Sequence, residues 1–125
     1  LVIRLAGEGS FVSGSDKLQP SFKTLIIQIG EQLASSKGRI RIEGHTDSVK
    51  IAFSERFMSN WDLSSARSSS VAAALIKDVG IDVDRLIVAG FADSVPLESN
   101  DTASGRAINR RIEIVVRGSA QGGAP

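Results

Sequence analysis

The chain has 125 residues, of which 42% are hydrophobic and 23% are charged, and this is the composition of one globular domain. A formal net charge of +1 and an aromatic content of 5% argue against a nucleic-acid-binding surface, since such surfaces are usually strongly basic or offer several stacking rings. The lack of cysteine excludes disulfides and thiolate metal sites.

The spacing of apolar residues predicts alternating strands and helices. In chain order, the predicted elements are a strand at 1–5, a helix from Pro20 to a stop at Gly38, a strand at 39–43, a helix from about 60–64 to Val79 with a stop at Gly80, a strand at 85–89, a short helix at 103–109 and a strand at 111–116. Residues 44–59 and 95–104 are predicted to be loops.

This order of elements predicts an α+β fold, a two-layer sandwich in which helices cover one face of a mixed four-stranded sheet. We expect one domain at 1–117, followed by a disordered tail at 118–125 that is rich in Gly, Ala and Ser. A membrane span needs about 20 apolar residues, far more than the longest apolar run at 71–76. No signal peptide is visible at Leu1, so any membrane anchor is expected upstream of that residue.

The second predicted helix carries an arginine on its apolar face. Leu63, Arg67, Val71 and Leu75 are spaced four apart and therefore share one side of the helix. A guanidinium stays charged at ordinary pH, so Arg67 must reach water or an anion. Its place in the first turns of the helix would add positive potential from the helix dipole. These features favour a carboxylate partner.

Asp47 is the obvious internal partner, because it follows the strand that leads towards this helix. One interpretation is a structural Asp47–Arg67 ion pair without a ligand. The other is a ligand with both an amine and a carboxylate, of which Asp47 would bind the amine and Arg67 the carboxylate. The charges alone favour the structural pair.

Several motifs resemble the OmpA-like peptidoglycan-binding domain. They are residues 43–47 (EGHTD), 63–67 (LSSAR) and 105–114 (GRAINRRIEI), with weaker similarity at 11–15 (FVSGS) and 89–96 (AGFADSVP). The resemblance covers nearly the whole chain in the order that the family has. It implies a periplasmic domain that binds the diaminopimelate of peptidoglycan peptide stems without a cofactor or metal.

The resemblance also implies roles for single residues. Asp47 and Arg67 would hold the zwitterionic end of diaminopimelate, and Asn60 would contact the ligand. The residues that would line or brace the pocket are Thr46, Leu63 and Arg110. With the resemblance included, the ligand interpretation is favoured over the structural pair.

Residues 56–64 (RFMSNWDLS) are similar to a stretch in MotB/PomB flagellar stator B subunits, which have proline at the position of Met58. This similarity implies a homodimer that works with a stator A subunit and whose parent is anchored in the inner membrane through a segment upstream of this chain. A similar stretch occurs in wall-anchoring tails of type VI secretion proteins, so a secretion or outer-membrane protein is the alternative.

An enzyme is the least favoured class. His45 is the only histidine, and a Ser-His-Asp triad could be written with Asp47, but no GxSxG motif is present. A peptidoglycan hydrolase would need a catalytic carboxylate pair or a metal, and neither is evident. We expect His45 to orient its loop through hydrogen bonds. The acidic residues at 82–84 and 100–101 lack EF-hand spacing and are expected to serve turns and helix caps.

Overall fold

The structure, a computed structural model, describes residues 1–50 and 56–118. Its strands are β1 (Val2–Ala6), β2 (Arg39–His45), β3 (Leu86–Gly90) and β4 (Arg111–Arg117), and its α-helices are α1 (Pro20–Ala34), α2 (Asn60–Ala74) and α3 (Ala103–Asn109). A π turn at Leu75–Val79 continues α2, and a 3-10 turn at Val83–Arg85 precedes β3. The predicted tail lies outside the described residues from position 119 onwards, as do residues 51–55 of the loop before α2.

The four strands form one mixed sheet in the order β1-β4-β2-β3. β4 is antiparallel to both β1 and β2, whereas β3 runs parallel to β2. The core lies between one face of this sheet and the helices α1 and α2. Its fully buried side chains include Ile26, Ile40, Ile42, Val71, Leu75 and Ile114. The predicted α+β sandwich is confirmed.

The prediction that a loop begins at Gly44 was wrong. β2 continues through Gly44 and His45, which pair with Ile112 and Arg111 of β4. The polar run that follows Glu43 resembles a loop in sequence, but its first two residues complete the sheet because β4 offers them partners.

The predicted stop of α1 at Gly38 was also wrong. The helix ends at Ala34 and is capped by Ser35, whose backbone N–H donates to the carbonyl of Leu33. Gly38 instead lies against β4, where an added Cβ would come within 1.7 Å of the Arg117 carbonyl oxygen. β3 starts at Leu86 and not at Arg85 as predicted, because Arg85 belongs to the 3-10 turn.

The N-terminal half of α2 packs unusually close to the carboxyl ends of β2 and β3. A Cβ at Gly44 would lie 2.3 Å from the carbonyl oxygen of Ser64, and one at Gly90 would lie 2.2 Å from Ser65 Oγ. Glycine on the strands and serine on the helix therefore allow the two layers to touch. This contact brings the first turns of α2 beside the segment that follows β2. In the described part of the chain, no helix is both long and apolar enough to cross a bilayer.

Candidate functional site

One pocket of about 830 Å³ lies where the segment after β2, the start of α2 and the end of α3 meet. All six site residues predicted from the sequence line it: Thr46, Asp47, Asn60, Leu63, Arg67 and Arg110. Other parts of its wall were not predicted, namely Gly7, Glu8, Gly9, Phe11, Ser13, Gly14, Val49, Lys50 and Arg106. Most of the unpredicted wall belongs to the loop after β1, where the similarity of residues 11–15 to the family was the available signal and was not used to assign pocket residues.

Asp47 is a buried carboxylate with two protein partners. Its Oδ1 accepts a hydrogen bond from the backbone N–H of Val49 at 2.9 Å, and its Oδ2 accepts one from Arg110 Nη1. The ion pair with Arg110 is partly open to solvent on the arginine side. The carboxylate is thus fixed in the pocket by a turn and by a cation.

Arg67 does not form the structural pair with Asp47 that the charges alone favoured, since Asp47 is paired with Arg110 instead. The Nε of Arg67 donates to the carbonyl of Ser15 at 2.8 Å, and its guanidinium carbon lies 4.8 Å from the centre of the Phe11 ring. No described carboxylate lies within ion-pair distance of this side chain. Partial burial lowers the pKa of Arg67, and the nearby charge of Arg110 lowers it further, against an opposing effect of Asp16.

The expected contribution of the helix dipole to Arg67 was wrong. α2 begins at Asn60, so Arg67 is its eighth residue and lies beyond the first turn. The dipole field falls off within that turn. Positive charge in the pocket therefore comes from its own side chains, which include Lys50, Arg67, Arg106 and Arg110.

Asn60 and Thr46 brace the segment that carries Asp47. Asn60 Nδ2 donates to the carbonyl of Val49 at 3.0 Å and, more weakly, to that of Asp47 at 3.4 Å. Thr46 Oγ1 donates to the Asp47 carbonyl at 2.8 Å. Both residues therefore fix the backbone of Asp47, and Asn60 also fixes that of Val49, so the Asp47 carboxylate is held in place.

The loop after β1 is tied to the segment before α2 by an ion pair that the sequence did not predict. Arg56 bridges to Asp16 through both of its Nη atoms, each at 2.9 Å. Asp16 directly follows Ser15, whose carbonyl holds Arg67. The pair therefore helps to keep the acceptor of Arg67 in position.

A second group of titratable side chains lies on the open face of the sheet. Glu43, His45 and Glu113 have ligand atoms within 4.8 Å of one another, a spacing that could suit a metal ion. The two carboxylates already pair with arginines, Glu43 with Arg41 and Glu113 with Arg111. This face is therefore a balanced network of charges rather than an acidic site.

His45 lies in β2, not in the loop that it was expected to orient. Its Nε2 is 3.2 Å from Glu43 Oε1, and its ring stacks on Phe91 with centroids 5.1 Å apart. Burial and the charge of Arg111 lower the pKa of His45, although Glu43 and Glu113 oppose this effect.

The comparison with known proteins identifies a family. The sequence pattern of the OmpA family matches residues 10–110. Motility protein B from Bacillus subtilis is 35% identical over 124 residues, which cover 97% of this chain and 47% of that protein. The chain likewise spans less than half the length of two other curated relatives that it matches, with shares of 45% and 48%.

Solved structures share the fold. The cell wall anchor of the type VI secretion system from Pseudomonas aeruginosa superposes with a TM-score of 0.86 and 37% identity, covering 94% of this chain and 80% of that one. A protein described as MotB-like from Desulfovibrio vulgaris superposes with a TM-score of 0.86 and 30% identity, covering 93% of this chain and 72% of that one.

Proposed function

The chain belongs to the OmpA family, and from this premise we propose that it binds peptidoglycan non-covalently by holding the zwitterionic end of diaminopimelate in the pocket. One observation carries the proposal. Arg67 is a partly buried cation without a described carboxylate partner, and it lines the same pocket as the buried carboxylate of Asp47. A free amino-acid end supplies the opposite charge for each of them.

The proposed contacts follow from these charges. The ligand carboxylate would accept hydrogen bonds from Arg67, and the ligand ammonium would donate to Asp47. Hydrogen bonds that involve ionised groups are worth about 1.5–3 kcal/mol each, so either contact should change affinity roughly tenfold or more. Arg110 would share Asp47 with the ligand, and Leu63 would supply an apolar wall.

We test this proposal with purified sacculi and three charge variants. Arg67→Met and Asp47→Asn are expected to lower the fraction of protein that pellets with the sacculi. Each variant should need about ten times more sacculi than the wild type to reach the same pelleted fraction. Arg39→Met is the matched control, because Arg39 is exposed at the start of β2 and does not line the pocket. Wild-type pelleting by a folded Arg67→Met variant would refute the assignment.

The domain is proposed to anchor a flagellar stator to the cell wall. Residues 56–64 resemble the stator B version of the family, and the similarity to Motility protein B covers nearly the whole chain. In this proposal the domain lies in the periplasm, the parent protein is a homodimer joined to a stator A subunit, and an upstream segment anchors it in the inner membrane. A stator must be held still while it applies torque, and a cross-linked wall offers a fixed point.

A wall anchor of a type VI secretion system is the second candidate, because the secretion-system anchor from Pseudomonas aeruginosa superposes as well as the MotB-like protein does and with higher identity. Deletion of the parent gene in a strain with no other stator separates the two. Loss of swimming supports the motor role, whereas normal swimming excludes it.

The domain is proposed to bind without cleaving. Incubation with sacculi should therefore release no soluble muropeptides, as measured by chromatography of the supernatant. Release above that of a buffer control would support the hydrolase class instead.

A further inference from the structure

A second groove adjoins the pocket and is not explained by binding of diaminopimelate. We call it the Trp61 groove, defined by residues 58–61 around the start of α2 together with Ser48, Lys50, Ala92 and Asp93, and its volume is about 380 Å³. Lys50 and Asn60 line both the groove and the pocket, so the two lie side by side. A molecule bound in one can extend into the other.

Trp61 gives the groove an apolar surface within a polar rim. The side chain lies in the first turn of α2, and 54% of the residue is exposed. An indole left in water is a large apolar area that a partner can cover. The polar residues of the groove offer two hydroxyls, a carboxamide, an ammonium and a carboxylate, which are hydrogen-bonding groups for a polar ligand.

The two walls of the groove are held together by one buried hydroxyl. Ser64 Oγ donates to the carbonyl of Trp61 at 3.3 Å and accepts from the backbone N–H of Ala92 at 3.1 Å. Ala92 has a φ of 51°, in the left-handed region that residues other than glycine rarely adopt. Backbone strain of this kind tends to occur at functional sites, and a groove whose walls are already fixed loses little entropy on binding.

We propose that the Trp61 groove binds a sugar ring of the glycan strand to which the peptide stem in the pocket is attached; this inference rests on the proposed function. A pyranose has an apolar face of C–H groups that can lie on the indole and a rim of hydroxyls that can reach Ser48, Asn60 and Asp93. Diaminopimelate is the third residue of the stem, and three residues span about 10 Å when extended. Adjoining sites that share two wall residues suit this reach.

The composition of the groove favours a sugar over a protein partner. The centres of protein interfaces are depleted of charged residues, whereas this groove places Lys50 and Asp93 beside its two exposed apolar side chains, Met58 and Trp61. The opposite charges of these two side chains suit a neutral, hydroxyl-rich ligand better than an anionic or a cationic one.

The chain has a single tryptophan, so its intrinsic fluorescence reports on this groove alone. The probes are the stem tripeptide L-Ala-γ-D-Glu-diaminopimelate and the same tripeptide on its N-acetylglucosaminyl-N-acetylmuramyl disaccharide. The disaccharide form is expected to shift the Trp61 emission and to bind about five- to tenfold more tightly, which corresponds to covering roughly 50 Å² of apolar surface. The tripeptide alone should bind without shifting the emission.

Calorimetry on variants completes the test. Trp61→Ala should reduce the affinity for the disaccharide form to that for the tripeptide and leave tripeptide binding unchanged, while Trp61→Phe should retain most of the gain. Val83→Ala is the control, since Val83 is an exposed apolar residue outside the groove. If the tripeptide binds but the sugar adds nothing, or if Trp61→Ala weakens both ligands equally, the sugar site is overturned. If the folded wild type binds neither probe, the proposed function fails and the sugar site with it.

Discussion

Arg110 holds the carboxylate of Asp47 before any ligand is bound, while Arg67 is held by an aromatic ring and a backbone carbonyl. The two arginines therefore differ in what they offer. Arg110 is paired with a protein carboxylate, whereas Arg67 has no carboxylate partner among the described residues. Removal of either should affect binding, but only Arg110 should affect the environment of Asp47.

A double-mutant cycle distinguishes these two roles in the unliganded protein. Asp47→Asn and Arg110→Met are expected to couple by about 0.5–1.5 kcal/mol in the free energy of unfolding, a modest value because the ion pair is partly exposed. Asp47→Asn and Arg67→Met should be additive, since no contact joins those side chains. Urea unfolding of the single and double variants measures both coupling free energies. A larger coupling for Asp47 with Arg67 than for Asp47 with Arg110 would contradict the observed pairing.

The sequence predicted six of the residues that line the pocket but not how they pair. The motifs mark Asp47, Arg67 and Arg110 as a set, because each of these charged residues belongs to one of the three motifs that resemble the family. The pairing depends on backbone approaches that no local pattern encodes. One example is Gly7, whose N–H donates to the Arg110 carbonyl at 2.7 Å and where a Cβ would collide with that carbonyl.

At the scale of elements, a buried asparagine joins the end of α3 to the loop that follows β3. Asn109 is fully buried, and its Oδ1 accepts from the backbone N–H groups of Leu97 and Glu98 at 2.8 and 2.9 Å. Its Nδ2 donates to the carbonyl of Glu98 and to Asn100 Oδ1. Both ends of the amide are satisfied, so this one side chain supplies the hydrogen bonds to the loop backbone that a helix or sheet would otherwise supply.

Asn109→Ala should therefore destabilise the domain by about 2–4 kcal/mol, because two backbone donors and one carbonyl lose their partner. The neighbouring exposed residue supplies the control: Ile108→Ala should change the free energy of unfolding by less than about 0.5 kcal/mol. Chemical denaturation of both variants measures the difference. Equal losses in the two variants would mean that the loop does not depend on the asparagine.

The elements themselves were largely predictable, and their ends were less so. Alternating apolar residues located β2 and β4, and spacing of three and four located α1 and α2. The π turn at Leu75–Val79 was missed because its cause lies elsewhere in the chain. Leu75 and Val79 both pack tightly against Gly30 of α1, a contact that a local pattern cannot show.

At the scale of the whole molecule, the sheet has an apolar face towards the helices and a charged face away from them. The charged face contains arginines at positions 4, 41 and 111 with Glu43, Glu113 and His45 between them. His45 is buried there, and its Nδ1 has no hydrogen-bond partner among the described residues. A proton added to that nitrogen would be a buried donor without an acceptor.

Stability should therefore fall as the pH is lowered. Burial and Arg111 lower the pKa of His45, so between the ordinary value of 6.5 and the lower folded value the unfolded chain binds more protons. The contribution of neutral His45 to the free energy of unfolding is present above pH 6.5 and is lost as the pH falls through the pKa of the folded state. Burial raises the pKa of Glu113, but the hydrogen bond and charge of Arg111 outweigh it, so a second loss follows below pH 4.5.

Thermal melts from pH 7.5 to 5 of the wild type and of His45→Gln check the first of these losses. The wild type should lose more stability over this interval than the variant, which has no titrating group at position 45. Parallel pH profiles for the two proteins would show that folding does not lower the pKa of His45.

The direction of β1 has a consequence for a domain under mechanical load. The strand runs from Val2 to Ala6 and continues into Gly7, which lines the pocket. A pull applied at Leu1 against a ligand held in the pocket would act along the axis of this strand. The five residue pairs that join β1 to β4 would then be loaded in shear, and they would have to break together. The same strand pulled sideways would unzip one pair at a time, so its direction gives the domain a stiff axis between Leu1 and the pocket.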